Sequence, residues 1–261
     1  MIASTTTGTI TGRIPSSFID TVALSPDGAS AYAVRMNYLV HFDLVHAAVA
    51  GTTFIRGFAE KCAVSPDGSR VYDLLSDYGA MDLVDTSAGT FVGQVAHASG
   101  GAGVVSTDGN FVFTSGVGYL AVVRTASHQL EKIIEFVGAF NESLALSRDA
   151  SKAYVPATTS AGSFDVNIAF IDVASGAITN TVPLPDSFGV TAFLTISPDD
   201  STLYLLYGFV NQQLCAIDIA TATLKKCASS RYLQTGVHHS CDRHQPGRHE
   251  TLHDVFRQFR G

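Results

Sequence analysis

Seven polar side chains occur at intervals along the chain, one or two in each stretch of about 40 residues. They are Asp20, Glu60, Lys61, His97, Asn141, Glu142 and Thr191. Carboxylate and amide oxygens bind divalent cations, and a cation held in this way can activate water for hydrolysis. The residue types follow no regular order, so the set fits equally well a polar surface that has no catalytic activity.

A second set of carboxylates belongs to a repeated tetrapeptide. Ser25-Pro26-Asp27-Gly28 has four further copies, and successive serines are 40, 41, 41 and 50 residues apart. The aspartates of the five copies are Asp27, Asp67, Asp108, Asp149 and Asp199. Pro suits the second position of a type I turn, Asp bonds the local backbone, and Gly accepts a positive φ. We therefore predict five separate turns and not a cluster of carboxylates.

Each turn connects two apolar runs, and an aromatic residue follows it at a fixed distance. The aromatic residues are Tyr32, Tyr72, Phe113, Tyr154 and Tyr204, which predicts a repeated packing layer. A third apolar run, usually ending in Asp, and a fourth run complete each repeat. Four short strands in about 40 residues are typical of a β-propeller blade. We predict an all-β protein of about five four-stranded blades, either complete or part of a six- or seven-bladed ring.

The repeat resembles the YVTN-type β-propeller repeat of bacterial proteins. The resemblance rests on Ser-Pro-Asp-Gly, the following aromatic residue, an Ile-Asp pair such as Ile171-Asp172, and a Thr/Ser-x-Gly turn. It covers Thr9 to Ala228, and the departures within the turns are Thr107, Arg148, Ala150 and Asp200. We expect these departures to weaken individual turns. The resemblance implies a bacterial protein and, as for many relatives, a periplasmic or extracellular location, but it implies no particular activity.

The repeat pattern also predicts the division of the chain. Blades should begin near residues 22, 62, 103, 144 and 194, within a domain that spans residues 1–228. Residues 9–15 read as an outer strand that could close the ring. Residues 229–261 lack the repeat and are rich in His, Arg and Gln, so we expect a tail outside the core. Its histidines and Cys241 lack the spacing and scaffold of a zinc site, and no metal site is predicted there.

Two of the four cysteines occupy mirrored positions about a predicted turn. Cys215 and Cys227 are each six residues from Thr221, so they should face each other on adjacent strands. Opposed side chains of this kind are close enough for a disulfide. In an exported protein this pair would form a disulfide; otherwise it would be two small buried residues.

Composition narrows the classes of partner. The net charge is −7 and only 15% of residues are charged, which argues against a nucleic-acid partner. No apolar run reaches 18 residues, so no transmembrane segment is predicted. The first residues lack the basic and apolar regions of a signal peptide, and the compartment therefore stays open.

No motif of a hydrolytic triad or of a phosphate-binding loop is present, so an enzyme is the less favoured reading. We predict a non-enzymatic binding or scaffold module, without a cofactor, whose channel mouth and blade loops contact a protein or a small ligand. The seven polar residues precede the innermost strands and would surround that mouth. The alternative is a lactonase-like propeller hydrolase that uses these carboxylates with a divalent ion.

Overall fold

The computed structural model describes residues 2–3, 7, 9–14, 21–75, 79–98, 100–137, 143–158, 165–184, 192–208 and 213–229. All regular secondary structure in these residues is β-strand. Twenty strands form five four-stranded antiparallel sheets, and two short strands form a separate pair. The predicted all-β, β-propeller fold with five four-stranded blades is confirmed.

The blades follow one another along the chain. Blade 1 consists of β3 (Thr21–Leu24), β4 (Ser30–Arg35), β5 (Tyr38–Asp43) and β6 (Ala48–Phe54). Blade 2 consists of β7 (Ala59–Val64), β8 (Arg70–Leu75), β9 (Ala80–Asp85) and β10 (Thr90–Ala96). Blade 3 consists of β11 (Ala102–Val105), β12 (Phe111–Gly116), β13 (Tyr119–Arg124) and β14 (Gln129–Glu135).

The last two blades have the same order of strands. Blade 4 consists of β15 (Ala145–Leu146), β16 (Lys152–Thr158), β17 (Val166–Asp172) and β18 (Ile178–Pro183). Blade 5 consists of β19 (Ala192–Ile196), β20 (Thr202–Tyr207), β21 (Gln213–Asp218) and β22 (Thr223–Ser229). In every blade the four strands pair in the order in which they follow one another in sequence.

The segment predicted to close the ring contains β2 (Ile10–Gly12), which pairs with β1 (Ile2–Ala3). Ile14, just after β2, packs against buried residues of blade 1, among them Ala33 and Phe42. Within the described ranges β2 has no strand partner besides β1, so ring closure stays a prediction. The predicted tail, apart from Ser229 at the end of β22, lies outside the described residues.

The Ser-Asp turns connect the first two strands of every blade through the same hydrogen bonds. In blade 1 the Ser25 hydroxyl donates to the Asp27 carboxylate at 2.5 Å and accepts from the Ser30 amide at 2.9 Å. The Ala29 amide also donates to Asp27, at 3.0 Å. These bonds favour the ionised acid, and they lower the pKa of Asp27. The other four turns repeat this pattern, which confirms the predicted role of the aspartates.

Two departures from the tetrapeptide contact each other across the interface between blades 4 and 5. The Arg148 amide donates to the Asp200 carboxylate at 2.9 Å, and the Arg148 guanidinium donates to the Pro198 carbonyl. The sequence did not predict this contact, and the expectation that the departures weaken individual turns stays a prediction. Arg148 supplies an amide N–H that Pro cannot supply, and Asp200 supplies the acceptor.

After the first four turns the aromatic residue packs between neighbouring blades, as predicted, whereas Tyr204 of blade 5 is half-buried and belongs to none of the buried clusters of the described residues. Tyr32 shares a buried cluster with Val71 of blade 2, and Tyr154 shares one with Leu203 of blade 5. Tyr72 and Phe113 are likewise buried in the layers that join blades 2, 3 and 4. Burial of such a side chain contributes about 1.5–3 kcal/mol, so each layer fixes one blade on the next.

Blade 5 carries a disulfide between its two outer strands. Cys215 on β21 and Cys227 on β22 are directly opposite each other, with their Cα atoms 4.1 Å apart. Their sulfur atoms are bonded in the structure, and Cys215 is fully buried. The geometry agrees with the mirrored positions of the two residues about the turn at Thr221.

The left-handed position of the Ser-Asp turns yields the first prediction. Ala150 has a φ of 56° at the position where Gly28 has a φ of 69°, and a Cβ atom is disfavoured there. We expect Ala150→Gly to raise the free energy of unfolding by about 0.5–1 kcal/mol, measured by urea denaturation.

Gly28→Ala is the matched control. No atom lies within 4 Å of the added Cβ, so any loss of stability reports on the backbone alone, and we expect about 1 kcal/mol. A neutral or destabilising effect of Ala150→Gly would contradict this account of the turn.

Candidate functional site

The structure describes the side chains of two of the seven predicted site residues. Lys61 lies on β7, and its ammonium nitrogen is 5.9 Å from the ring centroid of Phe193 on β19. The innermost strands of blades 2 and 5 therefore face each other. His97 follows the end of β10. Glu60 lies on β7, but its side chain is outside the described residues, as are Asp20, Asn141, Glu142 and Thr191. Their predicted convergence stays a prediction.

His97 lines a groove of about 400 Å³ between blades 2 and 3. The groove lies at the ends of the strands that are opposite the Ser-Asp turns. Its lining comes from the β8–β9 and β12–β13 turns, from the residue after β10, from the first residue of β13, and from the end of β14 with the residue that follows it. The lining residues are Gly79, His97, Val117, Gly118, Tyr119, Ile133, Glu135 and Phe136. The groove therefore combines aliphatic, aromatic, imidazole and carboxylate groups.

Glycines and a left-handed histidine shape the groove. The Tyr119 ring occupies the space that a side chain at Gly116 would need, so only glycine allows the ring to lie there. Gly118 has a φ of 75°, and His97 has a φ of 59°. A positive φ is uncommon for histidine, and it turns the backbone sharply between β10 and the buried Ala98.

The two ionisable side chains of the groove have no partner among the described residues. Neither the His97 imidazole nor the Glu135 carboxylate makes a hydrogen bond or ion pair there. Glu135 is directly opposite Tyr119 in the β13–β14 register, while the Tyr119 ring extends the other way, over Gly116 on β12. Val117 is 67% exposed at the edge of the groove. The arrangement can contact a ligand through one acid, one imidazole and several apolar groups.

The crevice at the opposite strand ends has a different chemistry. It measures about 540 Å³ and is lined by turn residues of blades 2 and 3, including Asp67, Arg70, Asp108 and His128. Asp67 and Asp108 already accept hydrogen bonds from their own turns. Arg70 is paired with Asp85 at 2.5 Å. These groups are therefore engaged in holding the turns.

A buried carboxyl pair in blade 2 is a feature that the sequence reading missed. Asp73 on β8 and Asp82 on β9 are directly opposite each other and fully buried. Asp82 accepts hydrogen bonds from the Arg56 amide and the Gln94 side chain, both at 2.8 Å. Neither carboxyl oxygen of Asp73 has a hydrogen-bond partner in the part of the chain that the structure describes. Burial, and next the charge of Asp82, raise the pKa of Asp73 well above its usual value.

The repeat register could have revealed this pair. Eight residues after the turn serine, Asp73 corresponds to Ala33, Thr114, Val155 and Leu205, none of which is ionisable. Cys62 is directly opposite Asp73 on β7, and burial, followed by the charge of Asp73, raises the pKa of its thiol. Among the described residues, no group of three or more His, Cys, Asp or Glu side chains could hold a metal ion.

The comparisons with known proteins bear on the fold alone. No protein-family model and no curated protein matches the chain. Its structure is similar to that of hydrazine synthase from Kuenenia stuttgartiensis, with a TM-score of 0.70 and 18% sequence identity. The match covers 85% of this chain and 69% of the hydrazine synthase chain. At this identity the likeness supports the β-propeller-like architecture.

Within the described ranges, no helix has the length and apolar character required to cross a bilayer.

The buried carboxyl pair yields the second prediction. Because the pKa of Asp73 is raised in the folded state, the contribution of this group to stability is fully present below pH 3.8, the usual pKa of an aspartate. Stability then falls as the pH rises through the folded-state pKa. We expect Asp73→Asn, which cannot ionise, to remove this loss between pH 5 and pH 9 in urea denaturation.

Asp73→Val tests the cost of the orphaned group directly. It should raise the free energy of unfolding at pH 8 by about 1–3 kcal/mol, because an unpartnered buried polar group is removed. An unchanged pH dependence in Asp73→Asn, or a destabilising Asp73→Val, would count against the raised pKa.

Proposed function

We propose that this chain is a non-enzymatic binding or scaffold module that contacts a protein or small ligand through its blade loops and channel mouth. The observation that carries the proposal is the groove between blades 2 and 3. It contains a carboxylate and an imidazole that have no partner among the described residues, next to exposed apolar surface. Polar groups beside apolar groups in a concavity are a common feature of ligand sites.

Exposed large apolar side chains occur at both ends of the blades, and Leu24 and Val45 are examples at the Ser-Asp end. Large apolar residues are exposed at the loops opposite the Ser-Asp turns, and they are Met36, Phe58, Val117 and Val137. Exposed apolar groups cost free energy in water, and contiguous patches of them mark interaction surfaces. Met and Phe are also enriched where proteins bind each other.

The turn end of the blades offers less to a ligand. Its aspartates accept hydrogen bonds from serine hydroxyls and backbone amides, and these bonds lower their pKa values. Asp85 is held in the same way by Ser87, with a pKa of about 2. A ligand that binds such a carboxylate would have to replace bonds that the turn already has.

The repeat resemblance adds a context to the proposal. A YVTN-type bacterial propeller is expected to work outside the cytoplasm, where the Cys215–Cys227 disulfide would persist. In that setting the blades supply a rigid support, and the loops supply recognition.

The third prediction separates binding from hydrolysis. We expect no lactone hydrolysis above the buffer rate with Ca²⁺, Mg²⁺ or Zn²⁺, and we expect a displayed random-peptide library to yield binders. Val117→Ser should weaken the selected peptides about tenfold, because a buried apolar contact is lost. Val92→Ser is the matched control, since Val92 is exposed on the outer strand β10.

A divalent-dependent hydrolysis that disappears in Glu60→Gln or Glu142→Gln would replace this proposal by the lactonase-like alternative. Peptides that bind both valine variants equally well would show that the groove is not the site.

A further inference from the structure

The groove between blades 2 and 3 has a single formal charge. Among its lining residues Glu135 is the one carboxylate, and none is Lys or Arg. The nearest comparison on the same strand is Glu131, whose carboxylate is 2.7 Å from the Arg124 guanidinium. Lys132, also on β14, donates instead to the Val173 and Ala174 carbonyls of blade 4 at 3.0 and 2.8 Å. Arg124 and Lys132 are therefore engaged elsewhere, and Glu135 has no cationic partner among the described residues.

The neighbours of Glu135 suit a cation on an apolar stem. The Tyr119 ring, which lies over Gly116 on β12, lines the same groove as Glu135, and a ring face attracts an ammonium or guanidinium group. Ile133 and Phe136 line the same groove and can cover the methylene groups of a long basic side chain. The net charge of −7 further favours the approach of a basic ligand over an acidic one.

We propose that this groove binds a basic side chain, arginine or lysine, of a polypeptide partner. The inference rests on the proposed binding function and specifies its partner. The Glu135 carboxylate pairs with the cationic group, and the apolar lining packs on the stem. Val117 at the edge of the groove and Val137, which follows the lining residue Phe136, are both exposed. An apolar residue beside the basic one would cover these valines, whereas a free amine would leave them in water.

The test uses two pools of synthetic heptapeptides that differ at one atom position. Both pools have random apolar residues around a fixed centre, which is arginine in one pool and citrulline, its neutral counterpart, in the other. We expect fluorescence anisotropy at low salt to show at least tenfold tighter binding of the arginine pool. Raising the ionic strength should reduce that preference, since an ion pair at the surface is screened.

Two variants assign the effect to the groove. Glu135→Gln should weaken the arginine pool about tenfold and leave the citrulline pool unchanged. Glu131→Gln, the matched change on the same strand, should alter neither. Agmatine, a free guanidinium on an aliphatic stem, should compete only at concentrations at least a hundredfold above the peptide.

Each remaining outcome overturns part of the account. Equal binding of the two pools, or no effect of Glu135→Gln, rejects the basic partner while the proposed binding function stands. Agmatine that competes as well as the peptide rejects a polypeptide source and indicates a small amine. If neither pool binds and the displayed library also yields no binder, both the inference and the proposed function fail.

Discussion

The packing of each blade on the next is the constraint on which the rest of the structure depends. A four-stranded sheet with an apolar face is not stable alone in water, and it must bury that face. Tyr32, Tyr72, Phe113 and Tyr154 provide this burial at the same place in successive blades. Because the layer fixes the spacing of the blades, it also fixes which loops meet. The groove between blades 2 and 3 is a consequence of this spacing.

The two ends of the strands have separate tasks as a result. At one end the Ser-Asp turns satisfy their own polar groups, and Arg148 and Asp200 join two turns across a blade boundary. At the other end His97 and Glu135 line a groove with apolar walls. Rigid blades can support recognition there because the backbone bonds of the strands are already complete. Asp73 is an exception to this pattern of satisfied polar groups. Its buried carboxyl group lowers the stability of the fold and has no hydrogen-bond partner among the described residues.

The structural features that recur with the repeat or follow from a single turn could be predicted from the sequence. Ser-Asp turns, the aromatic layer and the facing Cys215 and Cys227 follow from local chemistry or from reflection about a turn, so one chain suffices to infer them. Contacts that occur once were not predicted. The Arg148–Asp200 bond crosses between blades, and the placement of Glu135 and Tyr119 in one groove depends on strand register and on Gly116. Of the two predicted site residues whose side chains are described, His97 lines the groove and Lys61 lies near Phe193 instead.

The most direct test of the groove as the binding site is hydrogen exchange of the whole chain with and without a peptide selected from the displayed library. The account predicts slower exchange in the segments around Gly79, His97, Val117 and Glu135, because a bound ligand covers these backbone amides. The Ser-Asp turns, for example Ser25 to Ser30, should exchange at the same rate in both states. Protection confined to the turns or to the outer strands, with no change at the groove, would contradict it.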